Sequence, residues 1–150
     1  MEDRYLFRGK RKDNGKWVEG YLVQPVESSY IVVPYKYSTI FGEESVIVEI
    51  DPLTICQCTG LKDKNGNLIW ENDIIKFKAY NFERLKETTI SQIKWCDDLC
   101  ALSFVVNKYG DRSTLGNLKG FNQEAEVIGN IFDNPELLEC KEIEEEYEKE

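Results

Sequence analysis

The sequence predicts a mainly β protein with one short C-terminal helix, α+β at most. Two observations carry this. At least seven short runs alternate apolar and polar residues with turn residues between them. Two of those turns, at Asp13-Asn14-Gly15-Lys16 and Asn65-Gly66, are each followed by an aromatic-bearing strand and carry the residues of β-hairpin turns. The chain has 150 residues, 41% apolar and 12% aromatic, enough for a real core in one domain or two very small ones.

The first hairpin covers residues 4–24. Tyr5-Leu6-Phe7 and Trp17 to Val23 flank the Asn14-Gly15 turn, and Arg8, Lys10, Arg11 and Lys12 cluster beside it. Tyr30 to Val33 is a buried-type strand stopped by Pro34. Tyr35 to Glu44 is a loop carrying Tyr35, Tyr37 and Phe41. Ser45 to Ile50 returns as a strand, with Val46 and Val48 alternating against Ile47 and Glu49. Asp51-Pro52 breaks the pattern and puts a boundary near 51–58.

The most informative stretch follows. In Gln57 to Phe77, Leu61 leads to the Asn65-Gly66 turn, where both central residues are expected at positive φ. Leu68-Ile69-Trp70 returns, Glu71-Asn72-Asp73 breaks, and Ile74 to Ala79 starts a buried strand. Tyr80 to Lys86 is polar and irregular. Thr88 to Trp95 and Cys100 to Val106 form a further hairpin around Asp97-Asp98, and Tyr109 to Lys119 is a Gly- and Asn-rich loop. Glu126 to Ile131 closes the β region, with Gly129 marking a bulge or bend. Asn134-Pro135 starts a helix, Asn as cap and Pro at its first position.

The net charge of −9 divides unevenly. Residues 121–150 hold 11 acidic residues and 2 lysines, so residues 1–120 are neutral, with 17 of each sign. The acidic end reads as a solvated helix or tail. Met1-Glu2-Asp3-Arg4 lacks the basic head and apolar core of a signal peptide, and no apolar run reaches membrane-spanning length. A cytoplasmic protein without membrane association is the expectation. Five cysteines then read as reduced thiols.

Catalytic chemistry is sparse. Histidine is absent, which removes Ser-His-Asp and Cys-His systems and His-based metal sites. Neither phosphate-binding glycine motif occurs. Cys56-x-Cys58 and Cys96-x-x-x-Cys100 could in principle assemble a four-thiolate zinc site. Neither has the usual two-residue spacing, and alternation puts Cys56 and Cys58 on one face, where small thiols pack. Reduced core thiols are expected, with no metal and no cofactor. Asp97-Asp98 reads as a turn, and Glu71 and Asp73 as carboxylates that cap backbone N–H groups.

The stretch TGLKDKNGNLIWENDIIKF resembles the signature of the YopX family of phage and prophage proteins. FRGKRKDNGKWVEGYL at 7–22, VEIDPLTICQCTG at 48–60 and EVIGNIFDNPELL at 126–138 extend the resemblance in order along the chain. It implies a mostly β protein with an SH3-like small barrel in its C-terminal part, from a phage or prophage of a Gram-positive bacterium, with no established activity. The family pattern carries Gly where this chain has Asn72. Asn tolerates positive φ next best, so the turn is expected to survive. The domain expectation is an N-terminal β-hairpin subdomain over 1–55, an SH3-like barrel over 56–134 and an acidic helix or tail over 135–150.

Two functions remain. The first is a non-enzymatic phage-type accessory protein that binds an unidentified phage or host protein through Tyr35, Tyr37, Phe41, Tyr80, Phe82 and Tyr109, with self-association through unpaired strand edges as a variant. The second is a nucleic-acid binder that uses Arg8, Lys10, Arg11, Lys12, Lys62 and Lys64, joined by Lys16, Lys76 and Lys78, with the acidic tail as a regulator. The neutral body counts against it, because phosphate binding normally shows in net charge.

Overall fold

The computed structural model describes residues 3–33, 46–80, 86–106, 110–115 and 125–139, and of residues 79–80 and 86–87 the backbone only. The chain divides into two compact units, Met1–Gly60 and Leu61–Glu150. Every strand pairing with a described register is antiparallel, and the protein is mainly β.

In the first unit a 3-10 turn at Asp3–Tyr5 precedes β1 (Phe7–Lys10), β2 (Trp17–Val23), β3 (Tyr30–Val33), β4 (Val46–Glu49) and the start of β5 (Cys56–Lys62). Their order is β4-β3-β2-β1-β5. The β1–β2 turn closes through Arg11 N–H to the Lys16 carbonyl and Gly15 N–H to the Arg11 carbonyl, both 2.9 Å. Gly15 takes the left-handed φ of 69° that this reversal requires.

The sheet curls until the end of β4 meets the end of β1. Arg11 bridges Ile50, Lys12 N–H donates to the Glu49 carbonyl, and Asp51 N–H donates to the Lys10 carbonyl. Glycine permits the curl. A Cβ on Gly20 would collide with the Val32 carbonyl oxygen, and one on Gly9 would lie 2.6 Å from Ile50 Cδ1. Ile31, Val48 and Ile50 fill the space thus enclosed. The chain then turns through a 3-10 segment at Pro52–Thr54, where Asp51 Oδ1 accepts Leu53 N–H and Thr54 Oγ1 accepts Lys10 N–H.

In the second unit the end of β5 and β6 (Leu68–Trp70) form a hairpin. The expected two-residue turn is in fact three residues long. Asp63 N–H bonds the Asn67 carbonyl, and only Gly66, at φ 84°, is left-handed, while Asn65 is not. A type I turn followed by a left-handed glycine satisfies the hairpin twist equally well.

β7 (Asp73–Tyr80) then lies between β12 (Glu126–Asn130) and β8 (Lys86–Gln92), while β10 (Ala101–Val105) lies between β9 (Lys94–Cys96) and β11 (Arg112–Thr114). β8 passes into β9 through Ile93, so one bent strand serves both sheets. Ser91 Oγ accepts Val105 N–H at 2.8 Å and fastens the two sheets beside the bend. Ile69, Ile75, Phe77, Ile93, Phe104 and Ala125 make the buried core, with Phe77 and Phe104 edge to face at 5.3 Å.

The β12 register shifts between Val127 and Gly129, the bulge expected there. The expected cap at Asn134 differs. Its side-chain oxygen accepts backward, from Asn130 N–H at 3.4 Å, and α1 is short, Glu136–Glu139. β11 falls inside the stretch read as a loop, because Arg112-Ser113-Thr114 carries no apolar residue for alternation to show.

A candidate interaction face on the N-terminal sheet

Two buried carboxylates are structural: Asp73, read from the sequence as a cap of backbone N–H groups, and Asp63, which was not singled out there. Asp63 is 5% exposed. Its Oδ1 accepts the Asn65 and Asn67 N–H groups at 2.9 Å, and Oδ2 accepts Val127 N–H at 3.1 Å. Burial is the largest single influence on this carboxyl and opposes ionisation. The backbone donors together outweigh it and hold the group below the ordinary aspartate range. Lys64 completes the clasp, with its N–H on the Ala125 carbonyl and Nζ 2.5 Å from Glu126 Oε2. Asp73 is buried too, and its Oδ2 accepts Trp70 N–H at 2.8 Å. Asn72 adopts φ 66° as expected. Its N–H reaches the Ile93 carbonyl, its carbonyl accepts Ile131 N–H, and its Oδ1 accepts Gln92 Nε2 at 2.9 Å. This turn ties β6, β7, β12 and the β8–β9 bend together.

The cysteines divide. Cys56 and Cys58 are buried on one face, as alternation required, and Cys56 Sγ donates to the Thr54 carbonyl at 3.3 Å. The other pair is not core: Cys96 is half-buried and Cys100 is exposed at φ 46° on the β9–β10 turn. All four are free thiols. Asp97 sits in that turn, its carbonyl accepting Cys100 N–H and its carboxylate holding the exposed Trp95 indole N–H at 2.9 Å.

Of the aromatic candidates, Tyr35, Tyr37, Phe41, Phe82 and Tyr109 lie outside the described residues. Tyr80 ends β7, and its side chain is outside them as well. The basic candidates are described. Arg11 is ion-paired with Asp13, Lys12 with Glu49, and Lys64 with Glu126. The side-chain hydrogen bond from Arg11 lowers the Asp13 pKa, and the one to Glu49 raises that of Lys12. Arg8 and Lys10, among their contacts, converge on one ring, with the Arg8 guanidinium 4.6 Å and the Lys10 ammonium 5.4 Å from the Trp17 centroid. Lys62 is exposed at the end of β5, in the second unit.

The β1–β2 register explains this convergence. Lys10 pairs with Trp17 and Arg8 with Glu19, so all four share the face opposite the Ile31–Val48–Ile50 core. The same face continues in two aligned rows, Tyr21–Val32–Ile47 and Val23–Tyr30–Glu49. Ile47 is 68% and Val23 48% exposed, while Trp17, Tyr21, Tyr30 and Val32 are half-buried. An apolar block is thus left at the surface, bordered by Arg8, Lys10, Glu19 and Glu49. The sequence reading passed over Trp17, Tyr21 and Tyr30 as candidates. The signal was the alternation Trp17-x-Glu19-x-Tyr21-x-Val23 read against Arg8-x-Lys10 across the turn.

The family model described as YopX protein matches residues 6–139. The chain belongs to the YopX family. No curated protein matches it. The YopX signature blocks can now be read physically. The Asp63–Gly66 turn clasps the start of the EVIGNI strand, and the Trp70–Asp73 turn receives its end. These two blocks build the scaffold of the second unit, while those at 7–22 and 48–60 lie in the first. Among the described residues, no group of three or more Cys, Asp or Glu side chains is placed to hold a metal ion, and no helix is long and apolar enough to cross a membrane.

Proposed function

We propose that this YopX-family chain is a non-enzymatic accessory protein of a phage or prophage, working in the host cytoplasm by docking on a protein partner. The docking surface is the outer face of the N-terminal sheet. One observation carries this reading: Tyr21, Val23, Tyr30, Val32 and Ile47 lie together at the surface, bordered by charges of both signs. An apolar centre with a charged rim is the anatomy of a protein interface. The lack of histidine and the structural use of Asp63 and Asp73 weigh against catalysis. The family resemblance supports phage origin. It also supports an SH3-like barrel over residues 56–134, an arrangement that suits the bent β8–β9 strand shared by two sheets.

A nucleic-acid role has one observation in its favour, the two cations on Trp17. Glu19 and Glu49 on the same face, and the ion pairs of Arg11, Lys12 and Lys64, weigh against a polyanion. Affinity capture of the tagged protein during prophage induction, with and without nuclease, separates the two. A stoichiometric protein that survives nuclease and is lost with Ile47→Asp supports docking on this face. Recovery that collapses with nuclease overturns it.

A further inference from the structure

We propose that Asn14 is a self-modification site. In the folded protein the backbone nitrogen of Gly15 attacks the Asn14 side-chain amide, and hydrolysis of the resulting cyclic imide leaves aspartate and isoaspartate. The substrate is the chain itself and the co-reactant is water. This chemistry is independent of the docking reading.

The sequence holds two Asn-Gly pairs, Asn14-Gly15 and Asn65-Gly66. Glycine leaves the attacking nitrogen unhindered, and both turns are exposed with open space where a Cβ would stand. In both, the glycine N–H donates to a backbone carbonyl, Gly15 to Arg11 at 2.9 Å and Gly66 to Asp63 at 3.0 Å, so freeing the nucleophile costs about the same. The two differ at the carbon under attack. Asn14 Oδ1 accepts Lys16 N–H at 2.9 Å. That bond folds the side chain back along the peptide that follows it, toward the nitrogen that must attack. It also sets a backbone donor on the oxygen that becomes the oxyanion of the tetrahedral intermediate. Asn65 is held the other way, its side chain donating to Glu126 and its N–H to Asp63 Oδ1. Two carboxylates there oppose an anionic intermediate, whereas Asp13 beside Asn14 is engaged by Arg11 through both oxygens.

The step balances without electron transfer. The Gly15 nitrogen gives its proton to hydroxide and bonds to Asn14 Cγ. The Cγ–Nδ2 bond breaks, and Nδ2 takes a proton from water and leaves as ammonia. Water then opens the imide, at Cγ to give aspartate or at the main-chain carbonyl to give isoaspartate. The product adds a negative charge and, as isoaspartate, a backbone methylene to the turn that sets Lys10 opposite Trp17.

Ageing the full-length protein at mildly alkaline pH, folded and in guanidinium chloride, tests this, with peptide mapping by mass spectrometry over time. In the folded protein Asn14 should convert roughly tenfold faster than Asn65, in line with the weight of an oxyanion donor. Isoaspartate should appear among the Asn14 products. In denaturant the two sites should react at similar rates, because the Lys16 and Glu126 contacts are gone. Equal rates in the folded protein, or a faster Asn65, would overturn the proposal. So would an Asn14 that stays intact in the folded protein over the time in which the denatured chain reacts. The same preference for Asn14 in denaturant would assign it to local sequence and overturn the role of the Lys16 N–H.

Discussion

The Asp63 carboxylate accepts the backbone N–H of Val127, 64 residues further along the chain, at 3.1 Å. Together with the Lys64 contacts to Ala125 and Glu126, this bond joins the signature turn to the closing strand. It explains why the KDKNG and EVIGNI blocks occur in one chain: the first folds the turn and the second supplies the strand that the turn holds.

Asp63→Ala is expected to destabilise the protein by roughly 2–4 kcal/mol, because it leaves the Val127, Asn65 and Asn67 donors without their shared acceptor in a buried place. The pH dependence has a definite sign. The folded carboxyl titrates below its unfolded value near 4, so its contribution is complete above that value and is lost as pH falls through the folded one. The stability gap between wild type and Asp63→Asn should therefore narrow on acidification below about pH 4. Urea unfolding at pH 7 and at low pH measures both.

Asn72 sits at φ 66°, where the family pattern has Gly. Asn72→Gly relieves backbone strain but loses the bond to Gln92, and should stay within about 1 kcal/mol of wild type. Asn72→Val should cost about 2 kcal/mol or more, since a β-branched residue resists this φ. Thermal unfolding of the two variants side by side checks the order.

Gly20 lies where the N-terminal sheet curls, with the Val32 carbonyl in the space of a Cβ. Gly20→Ala should lower stability by roughly 2–3 kcal/mol, since backbone must move. Gly9→Ala should cost less, because the nearest atom is the end of the Ile50 side chain. Equal losses in chemical denaturation would contradict this account of the curl.

Phe77 and Phe104 meet edge to face across the second unit's core. Either Phe→Ala change should cost roughly 3–5 kcal/mol. A double-mutant cycle should return a coupling of about 1 kcal/mol.

The mainly β class, both hairpins, the Gly129 bulge and the positive φ of Asn72 were legible in the sequence, because each is a local matter of alternation or turn chemistry. What escaped it depends on register or on distant partners. β11 is polar and declares itself only through its pairing with β10. Cys100 is exposed because the β9–β10 turn ends in a left-handed residue, which simple alternation does not anticipate. The candidate face needed cross-strand register. Arg8 and Lys10 were visible as a basic cluster, but only pairing across the turn puts Trp17 beneath both and places Tyr21, Val32 and Ile47 in line.

The most direct test of docking on this face is photo-crosslinking in cells during prophage induction. A photoreactive amino acid is placed at position 47 and, as a control, at position 98 on the exposed β9–β10 turn. The account predicts one discrete protein adduct from position 47 and none from position 98. Adducts to nucleic acid, or the same protein adduct from position 98 alone, would contradict it.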